Sequence, residues 1–268
     1  MINQLMKNGG RTSLREIAEA TGLSRMAVSL DPKMPARRLA DILRNRGIEG
    51  VVVAPLQGRI RERGSRELKF DFSAFAAVEI SETVERPDLT RALHDQYVSM
   101  QRTLRELAAR GYRRPGLVLE RGLDMRTNGR WTAAWMRFAI AADREGAETA
   151  GEPLLTTGED AAAFREWFAR IAPDVVVSVD GLGHRLMKAC GLRYPRDAGY
   201  ASLDVDGEPG EFCRVSGIDQ NSRLVGAAAV DSVVAAIQRG ERGAPEHPQR
   251  IEVAGTWVEG ASTPGPRA

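Results

Sequence analysis

Short, continuous apolar segments alternate with amphipathic ones along most of this chain, and that alternation strongly limits the folds open to it. Residues 51–54 (Val-Val-Val-Ala) and 174–178 (Asp-Val-Val-Val-Ser) are two such segments. Their length and apolar character are typical of strands buried on both faces of a parallel sheet. The stretches between them are long enough for crossover helices. The sequence therefore predicts an α/β fold with parallel sheets, helices on both sheet faces and right-handed connections.

The same periodicities predict the individual elements from residue 37 onward. Helices are expected over 37–46, 96–110, 130–144, 161–171, 184–190 and 224–239. Strands are expected over 51–54, 75–80, 115–119, 174–178, 201–203 and 250–254. Trp131 and Trp135, at helical spacing, are expected in the core rather than as a stacking platform for a ligand. Ligands of such folds bind beyond the carboxyl ends of the strands, so the residues after each strand are site candidates.

Residues 13–29 (SLREIAEATGLSRMAVS) have the pattern of two short helices joined by a tight turn. Ser13 can cap the first helix, and Gly22 supplies the positive φ that ends it. Ser24 can cap the second helix, and with Arg25 at the same end it suits contacts to phosphates and base edges. We predict a truncated DNA-binding helix-turn-helix over residues 1–30. An ordinary helical hairpin within a core is the alternative. The candidate DNA-binding residues are Arg11, Ser13, Ser24, Arg25, Met26 and Ser29.

The charge is distributed unevenly along the chain. Residues 1–69 contain 14 Lys and Arg against 7 Asp and Glu, whereas residues 70–268 contain 24 against 29. The first quarter is therefore about +7 and the remainder about −5, which suits a nucleic-acid-binding head on a body that does not bind DNA. The arginines at 59, 61, 63 and 66 lie well beyond the helix-turn-helix, and a solvated loop is the simpler explanation for them.

The composition of the chain favours one cellular compartment. No apolar run reaches the roughly 18–20 residues of a membrane span, and the first ten residues lack the apolar core of a signal peptide. Cys190 and Cys213 are the only cysteines, and two distant thiols suit a reducing cytosol and form no metal-ligand cluster. We expect a cytoplasmic protein with no metal, no cofactor and no membrane contact.

Several segments together resemble the LacI-type (lactose-repressor) family of bacterial transcription regulators. Residues 13–29 are similar to the family's opening T-hydrophobic-x-(D/E)-(V/I)-A-x-x-A-G-V-S-x-x-T-V-S pattern. The segments at 94–97, 111–115, 126–129, 173–180, 192–204, 217–220 and 252–258 follow its later motifs in the same order. By this resemblance Arg25 and Met26 hold the positions that read bases.

The resemblance implies a two-lobed, periplasmic-binding-protein-like body with three crossovers. It assigns residues 31–93 and 220–247 to the first effector-binding lobe, and residues 94–219 and 248–268 to the second. One departure concerns the region after Leu30, which runs directly into Asp31 and the helix before the 51–54 strand. The end of the headpiece, the hinge and the start of the first lobe are therefore missing relative to the family pattern.

Five residues are candidates for binding an effector in the interlobe cleft that the resemblance implies. By the resemblance, Arg126 occupies the position that clamps the effector in many family members, and a guanidinium can form two hydrogen bonds to a ligand at once. Asp180 and Asp204 each follow a strand and are natural acceptors for sugar hydroxyls or an amine. Asp95 and Gln220 lie at crossovers. The alternative for the aspartates is capping of helices or turns, and for Arg126 a surface charge.

Enzyme signatures are absent from the sequence, which has no G-x-S-x-G elbow, no phosphate-binding G-x-x-x-x-G-K-[ST] loop and no H-E-x-x-H. We therefore expect a protein that is not an enzyme. The main hypothesis is a homodimeric, ligand-responsive repressor that binds a DNA operator and senses a small polar molecule, a sugar. The alternative is a small-molecule-binding sensor that no longer binds DNA specifically because its headpiece is incomplete.

Overall fold

The described part of the chain divides into two α/β units, each built on its own sheet. The structure is a computed structural model, and it describes residues 27–28, 36–55, 67–144, 151–208 and 211–265. The first unit falls within Met1–His94 and Asn221–Val253, and the second within Asp95–Gln220 and Ala254–Ala268. The chain therefore passes between the units three times.

The first unit contains a parallel sheet with helices packed on it. Its strands are β1 (Ala27–Val28), β2 (Gly50–Val53), β3 (Ala76–Ile80), β4 (Thr90–His94) and β10 (Arg250–Val253), in the order β1-β2-β3-β4-β10. Its helices are α1 (Ala36–Asn45) and α7 (Ser222–Gln238).

Alternate side chains of the first sheet belong to two different cores. Val51 and Val53 lie in the cluster that contains Leu43 of α1. Val52, between them, lies in the cluster that contains Val233 of α7. Successive side chains of a strand point to opposite faces, so a strand covered on both sides must be apolar at every position. This is why the continuous run of valines was a reliable signal of a buried parallel strand.

A buried ion pair joins two strands of the first unit. Arg91 on β4 donates from Nε to Glu79 Oε2 on β3 at 2.9 Å, and both side chains are buried. Glu79 also accepts hydrogen bonds from the hydroxyl of Thr83 and the backbone N–H of Val84. The remaining nitrogens of Arg91 bind Asp88 and the carbonyl of Val84. The pair thereby fixes the connection between β3 and β4.

The second unit contains a six-stranded sheet that is parallel except for its last strand. Its strands are β5 (Pro115–Glu120), β6 (Leu154–Thr156), β7 (Val175–Ser178), β8 (Gly199–Ser202), β9 (Ser216–Asp219) and β11 (Thr256–Val258), in the order β11-β9-β8-β7-β5-β6, with β11 antiparallel to β9. Its helices are α2 (Gln96–Ala109), α3 (Arg121–Arg126), α4 (Arg130–Arg144), α5 (Ala161–Ile171) and α6 (Leu182–Ala189), and a 3-10 turn spans Val205–Gly207.

Two apolar cores lie on the two faces of this second sheet. One includes Trp131 and Trp135 of α4, which are 3% and 1% exposed, together with Leu107 of α2. The other includes Trp167 of α5 and Leu186 of α6. The expectation that the tryptophans of α4 belong to the core is therefore confirmed. The predicted α/β fold with parallel sheets is confirmed as well, because the helices cover both faces of the sheet.

The structure corrects the sequence-based predictions in two places. Ala27 and Val28, predicted within the second helix of the helix-turn-helix, instead form β1 and pair in parallel with Val52 and Val53. The open edge of β2 offers hydrogen-bond partners to the backbone groups of Ala27 and Val28. The local signals from which the short helix was predicted contain no information about this pairing. The single closing strand predicted near residue 250 is two strands, β10 and β11, in different units. Residues 250–253 pair with β4 and so lie in the first unit rather than in the second lobe.

Candidate ligand-binding site at one edge of the second sheet

Four neighbouring parallel strands of the second unit end at the same edge of the sheet. These are β5, β7, β8 and β9, which are paired consecutively. Neighbouring strands lie about 4.8 Å apart, so the segments that follow them are brought side by side. Four of the five predicted ligand-binding residues lie in those segments: Arg126, Asp180, Asp204 and Gln220. Polar groups gathered at this edge are the usual basis of ligand binding in α/β folds.

Asp204 and Gln220 are held by hydrogen bonds within the second unit. Asp204 precedes the 3-10 turn, and its carboxylate accepts a hydrogen bond from the backbone N–H of Asp206 at 3.2 Å. Gln220 follows β9 and donates from Nε2 to the carbonyl of Leu203 at 3.0 Å. The amide of Gln220 is thus fixed beside the segment that carries Asp204. Asp204 combines the capping role considered as an alternative with a location at the candidate site.

Asp180 and Arg126 follow β7 and β5. Asp180 is exposed and has a φ of 53°, a left-handed conformation that aspartate tolerates better than most residues. Its carbonyl accepts a hydrogen bond from Arg185 Nη1 at 2.9 Å. Arg126 is the last residue of α3 and is partly exposed. Its side chain forms no hydrogen bond or ion pair with the residues that the structure describes.

Asp95 has a helix-capping role in the structure. Its Oδ1 accepts a hydrogen bond from the backbone N–H of Val98 at 2.9 Å, at the first turn of α2. One turn further on, the hydroxyl of Ser99 accepts a hydrogen bond from the backbone N–H of Gly255, just before β11. Asp95 is the only one of the five predicted ligand-binding residues that begins a helix rather than following a strand of the second sheet.

A buried carboxylate two residues before Arg126 was not predicted from the sequence. Asp124 is 7% exposed, and its Oδ2 accepts a hydrogen bond from the hydroxyl of Thr132 at 2.8 Å. Its Oδ1 is buried with no hydrogen-bond partner in the described part of the chain. Burial raises the pKa of Asp124, and the hydrogen bond from Thr132 opposes that effect. Proximity to Arg126 in sequence was the one signal that could have identified it.

Two more aspartates, missed for a different reason, add to the negative charge of this edge. Asp219 ends β9, and Asp206 lies in the 3-10 turn after β8. Burial raises the pKa of Asp206, and the negative charge of Asp219 raises it further. The two carboxylates are therefore close enough to interact, although they are distant in the sequence. Only the pairing of β8 with β9 brings them together.

Glu208, also missed, connects three segments at the same edge. It accepts hydrogen bonds from the backbone N–H of Gly181 at 3.0 Å and the hydroxyl of Tyr200 at 3.1 Å, and its Oε1 is hydrogen-bonded to Ser202 Oγ at 2.7 Å. The contact with Gly181 spans 27 positions, which no local sequence pattern can reveal.

Other predicted features remain outside what the structure describes. Residues Arg11, Ser13, Ser24, Arg25, Met26 and Ser29, predicted to bind DNA, lie outside the described residues. None of the helices in the described segments has the length and apolar character that a membrane crossing requires. In the same part of the chain, no group of three or more His, Cys, Asp or Glu side chains is arranged to hold a metal ion.

The family of the chain follows from its similarity to known proteins. The model of a periplasmic binding protein-like domain matches residues 104–263, which is more than half of the chain. No curated protein sequence matches it. Among solved structures, the chain is similar to a periplasmic binding ribose operon repressor protein from Lactobacillus acidophilus. Their sequence identity is 13% and the TM-score is 0.61, over 93% of this chain and 90% of that one.

Two further solved structures have the same fold. A LacI transcriptional regulator from a Rhodococcus species is 17% identical, with a TM-score of 0.61 over 93% of this chain and 90% of that one. A LacI family transcriptional regulator from Enterococcus faecium, solved with bound ribose, is 13% identical, with a TM-score of 0.57 over 90% and 88%. By its family match and its architecture, the chain belongs to the periplasmic-binding-protein-like domain family and has the fold of the LacI-type transcriptional regulators that its sequence resembles.

Proposed function

We propose that this chain is a ligand-responsive transcriptional regulator of LacI type whose effector binds at the carboxyl edge of the second sheet. The observation that carries the proposal is that Arg126, Asp180, Asp204 and Gln220 lie on segments that follow four adjacent parallel strands. The family and fold supply the context, because periplasmic-binding-protein-like domains are ligand-binding modules. Asp95 stays in the proposed ligand-binding set as a residue at the crossover into α2.

The proposed ligand is a small sugar. Carboxylates at Asp180, Asp204 and Asp219 can accept hydrogen bonds from hydroxyl groups, and the guanidinium of Arg126 can donate them. An uncharged molecule with several hydroxyl groups can donate hydrogen bonds to the carboxylates and accept them from the guanidinium, and it adds no charge of its own to the edge. The solved relative from Enterococcus faecium contains ribose, and a further relative, the transcriptional regulator CelR, was solved as a cellobiose complex. Ribose and cellobiose are therefore the first sugars to test.

A thermal-unfolding screen tests the effector proposal. D-Ribose, cellobiose and other sugars are added separately to the full chain, with matched concentrations of glycerol as the control for general solvent effects. A specific ligand at one hundred times its Kd stabilises the folded state by about 2.7 kcal/mol. The expected result is a saturable rise in melting temperature with at least one sugar and none with glycerol. Equal shifts with every sugar and with glycerol would contradict a specific effector site.

DNA binding and repression are the second part of the proposal, and they rest on the 13–29 motif. The residues proposed to contact DNA are Arg11, Ser13, Ser24, Arg25, Met26 and Ser29. The alternative function, a sensor that no longer binds DNA specifically, is favoured by one observation: Ala27 and Val28 pair with β2 as a strand. A mobility-shift titration at physiological salt separates the two functions. A repressor binds its own upstream region more tightly than random duplex, whereas the sensor shows equal, weak affinity for both.

A further inference from the structure

Glu208 has a hydrogen-bond environment that requires one more proton than its ionised form provides. Its Oε1 lies 3.0 Å from the backbone nitrogen of Gly181 and 2.7 Å from Ser202 Oγ. Its Oε2 lies 3.1 Å from the hydroxyl of Tyr200. Ser202 Oγ is also 2.8 Å from the carbonyl oxygen of Asp204 and accepts a hydrogen bond from the Asp204 backbone N–H at 3.1 Å.

Counting the protons in these five contacts distinguishes the two forms of Glu208. The N–H groups of Gly181 and Asp204 supply one proton each, and the hydroxyls of Tyr200 and Ser202 supply one each. With Glu208 ionised, the single proton of Ser202 must serve both Glu208 Oε1 and the carbonyl of Asp204. One of those two short oxygen–oxygen contacts then has no proton, which is unfavourable in a buried setting. A neutral Glu208 donates to Ser202, Ser202 donates to Asp204, and all five contacts are satisfied.

We propose that Glu208 is a positioning residue for the ligand site, and that its neutral form holds the turn after β7 against the turn after β8. Gly181 directly follows Asp180, and Ser202 is two residues before Asp204. Through Oε1 alone, Glu208 therefore fixes the segments that carry two proposed ligand-binding aspartates. The positioning itself is independent of any ligand, and only its consequence for affinity rests on the proposed function. Burial raises the pKa of Glu208, in keeping with a proton retained above the usual range for a glutamate.

Other titratable groups surround this carboxyl on the elements packed near it. They are His184 on α6, Tyr194 after α6, Tyr200 on β8, Asp204 and Asp206 around the 3-10 turn, and Glu211 and Cys213 in the following loop. The rings of Tyr194 and Tyr200 stack with their centroids 4.9 Å apart, and the hydroxyl of Tyr194 lies 3.1 Å from His184 Nδ1. Glu211 binds His184 and Lys188. This second network reaches the surface at Lys188, and the charge of His184 opposes the effect of burial on the pKa of Glu208.

Thermal unfolding of the full chain between pH 4.5 and 8 tests the proposal without any ligand. Glu208→Gln removes the titrating proton while keeping the size of the side chain. A carboxyl whose pKa is higher in the folded than in the unfolded state loses stabilisation as the pH rises above the unfolded value. The melting temperature of the wild type should therefore fall relative to Glu208→Gln as the pH rises above about 4.5, by about 3 °C per pH unit until the pH passes the folded pKa of Glu208.

Asp197→Asn is the matched control, because it replaces another carboxylate of the second unit by its amide. The hydrogen bond from Arg196 holds the pKa of Asp197 below the usual value, so its titration falls below this pH window. Its difference from the wild type should stay constant from pH 4.5 to 8. A constant difference between the wild type and Glu208→Gln over the same range would overturn the proposal, because Glu208 would then bind its proton no more tightly in the folded state.

Two further measurements address positioning itself. In Glu208→Ala the backbone amide of Gly181 loses its acceptor, so its hydrogen-exchange protection should be lost while the core strand β7 stays protected. Unchanged protection of Gly181 in a folded Glu208→Ala variant would also overturn the proposal. D-Ribose serves as the ligand probe: its Kd should rise with pH in the wild type and stay constant in Glu208→Gln. Absence of any ribose binding would count against the proposed effector class, while the unfolding and exchange results would still decide the role of Glu208.

Discussion

Replacing Arg91 with alanine should destabilise the first unit strongly, and by an amount that depends on pH. The variant leaves the fully buried carboxylate of Glu79 with only Thr83 and Val84 as partners. Breaking a buried pair in this way costs about 3–5 kcal/mol. The folded variant can avoid the unpaired charge by protonating Glu79. At pH 7 this protonation costs about 3.4 kcal/mol, because each pH unit above the ordinary glutamate pKa of 4.5 costs about 1.36 kcal/mol. The electrostatic penalty is therefore limited to about 3.4 kcal/mol at pH 7 and about 0.7 kcal/mol at pH 5.

A second part of the loss does not depend on pH. Arg91 Nη2 donates to the carbonyl of Val84 at 2.7 Å in a buried environment, and an unsatisfied buried acceptor costs about 1–3 kcal/mol. The bond from Arg91 to Asp88 adds little, because the Asp88 side chain is 61% exposed. The total loss should be about 4–6 kcal/mol at pH 7 and about 2–4 kcal/mol at pH 5. Burial already raises the pKa of Glu79, and Arg91 opposes that effect, so its removal raises this pKa further. The stability that protonation of Glu79 provides in the variant is therefore present at low pH and lost as the pH rises.

Urea denaturation at pH 5, 6 and 7 measures these differences. Arg44→Ala is the control, since the pairs of Arg44 with Asp41 and Asp71 are exposed, and its removal should cost less than about 1 kcal/mol at every pH. Adding Glu79→Gln to Arg91→Ala should recover most of the pH-dependent part, because the buried charge is gone. A deficit in Arg91→Ala that is the same at pH 5 and pH 7 would refute the reasoning, since the loss would then be one of packing and not of an unpaired charge.

Three further predictions concern binding and assembly. Arg126→Ala should abolish the sugar-induced rise in melting temperature without changing the melting temperature of the free protein. Arg137→Ala, an exposed change on α4, should leave the rise intact. A full rise in Arg126→Ala would remove this residue from the site. In mobility shifts, Arg25→Ala should cost about 1–3 kcal/mol of DNA-binding free energy and relax the sequence preference at one base pair. Arg11→Ala should weaken binding to all DNA sequences alike and reduce the slope of log affinity against log salt by about one. No effect of either change would favour the sensor function. Light scattering at micromolar concentration should give the mass of a homodimer, as two operator half-sites require, and a monomer mass would contradict that expectation.

Periodicity in the sequence was sufficient to predict the layered α/β architecture. The valines of β2 and β7 and the apolar stripes of α2 and α4 are local signals, because burial on two faces or on one helical stripe dictates which positions must be apolar. The elements that were not predicted are short or carry mixed residues. β4 (Thr-Arg-Ala-Leu-His) has a charged residue at its second position, and Arg91 is tolerated there only because Glu79 on the adjacent strand neutralises it.

The sequence by itself determined that Asp180 and Asp204 follow strands and were therefore site candidates, whereas Gln220 was a candidate from its position at a crossover. The order of the strands was decided only by tertiary structure, and with it the adjacency of the strands that these candidates follow. The same holds for Glu208, whose partners Gly181 and Ser202 reach it from two other segments. Side-chain periodicity is a property of neighbouring positions, whereas strand pairing and buried polar contacts join positions that are distant along the chain, and no local pattern encodes them.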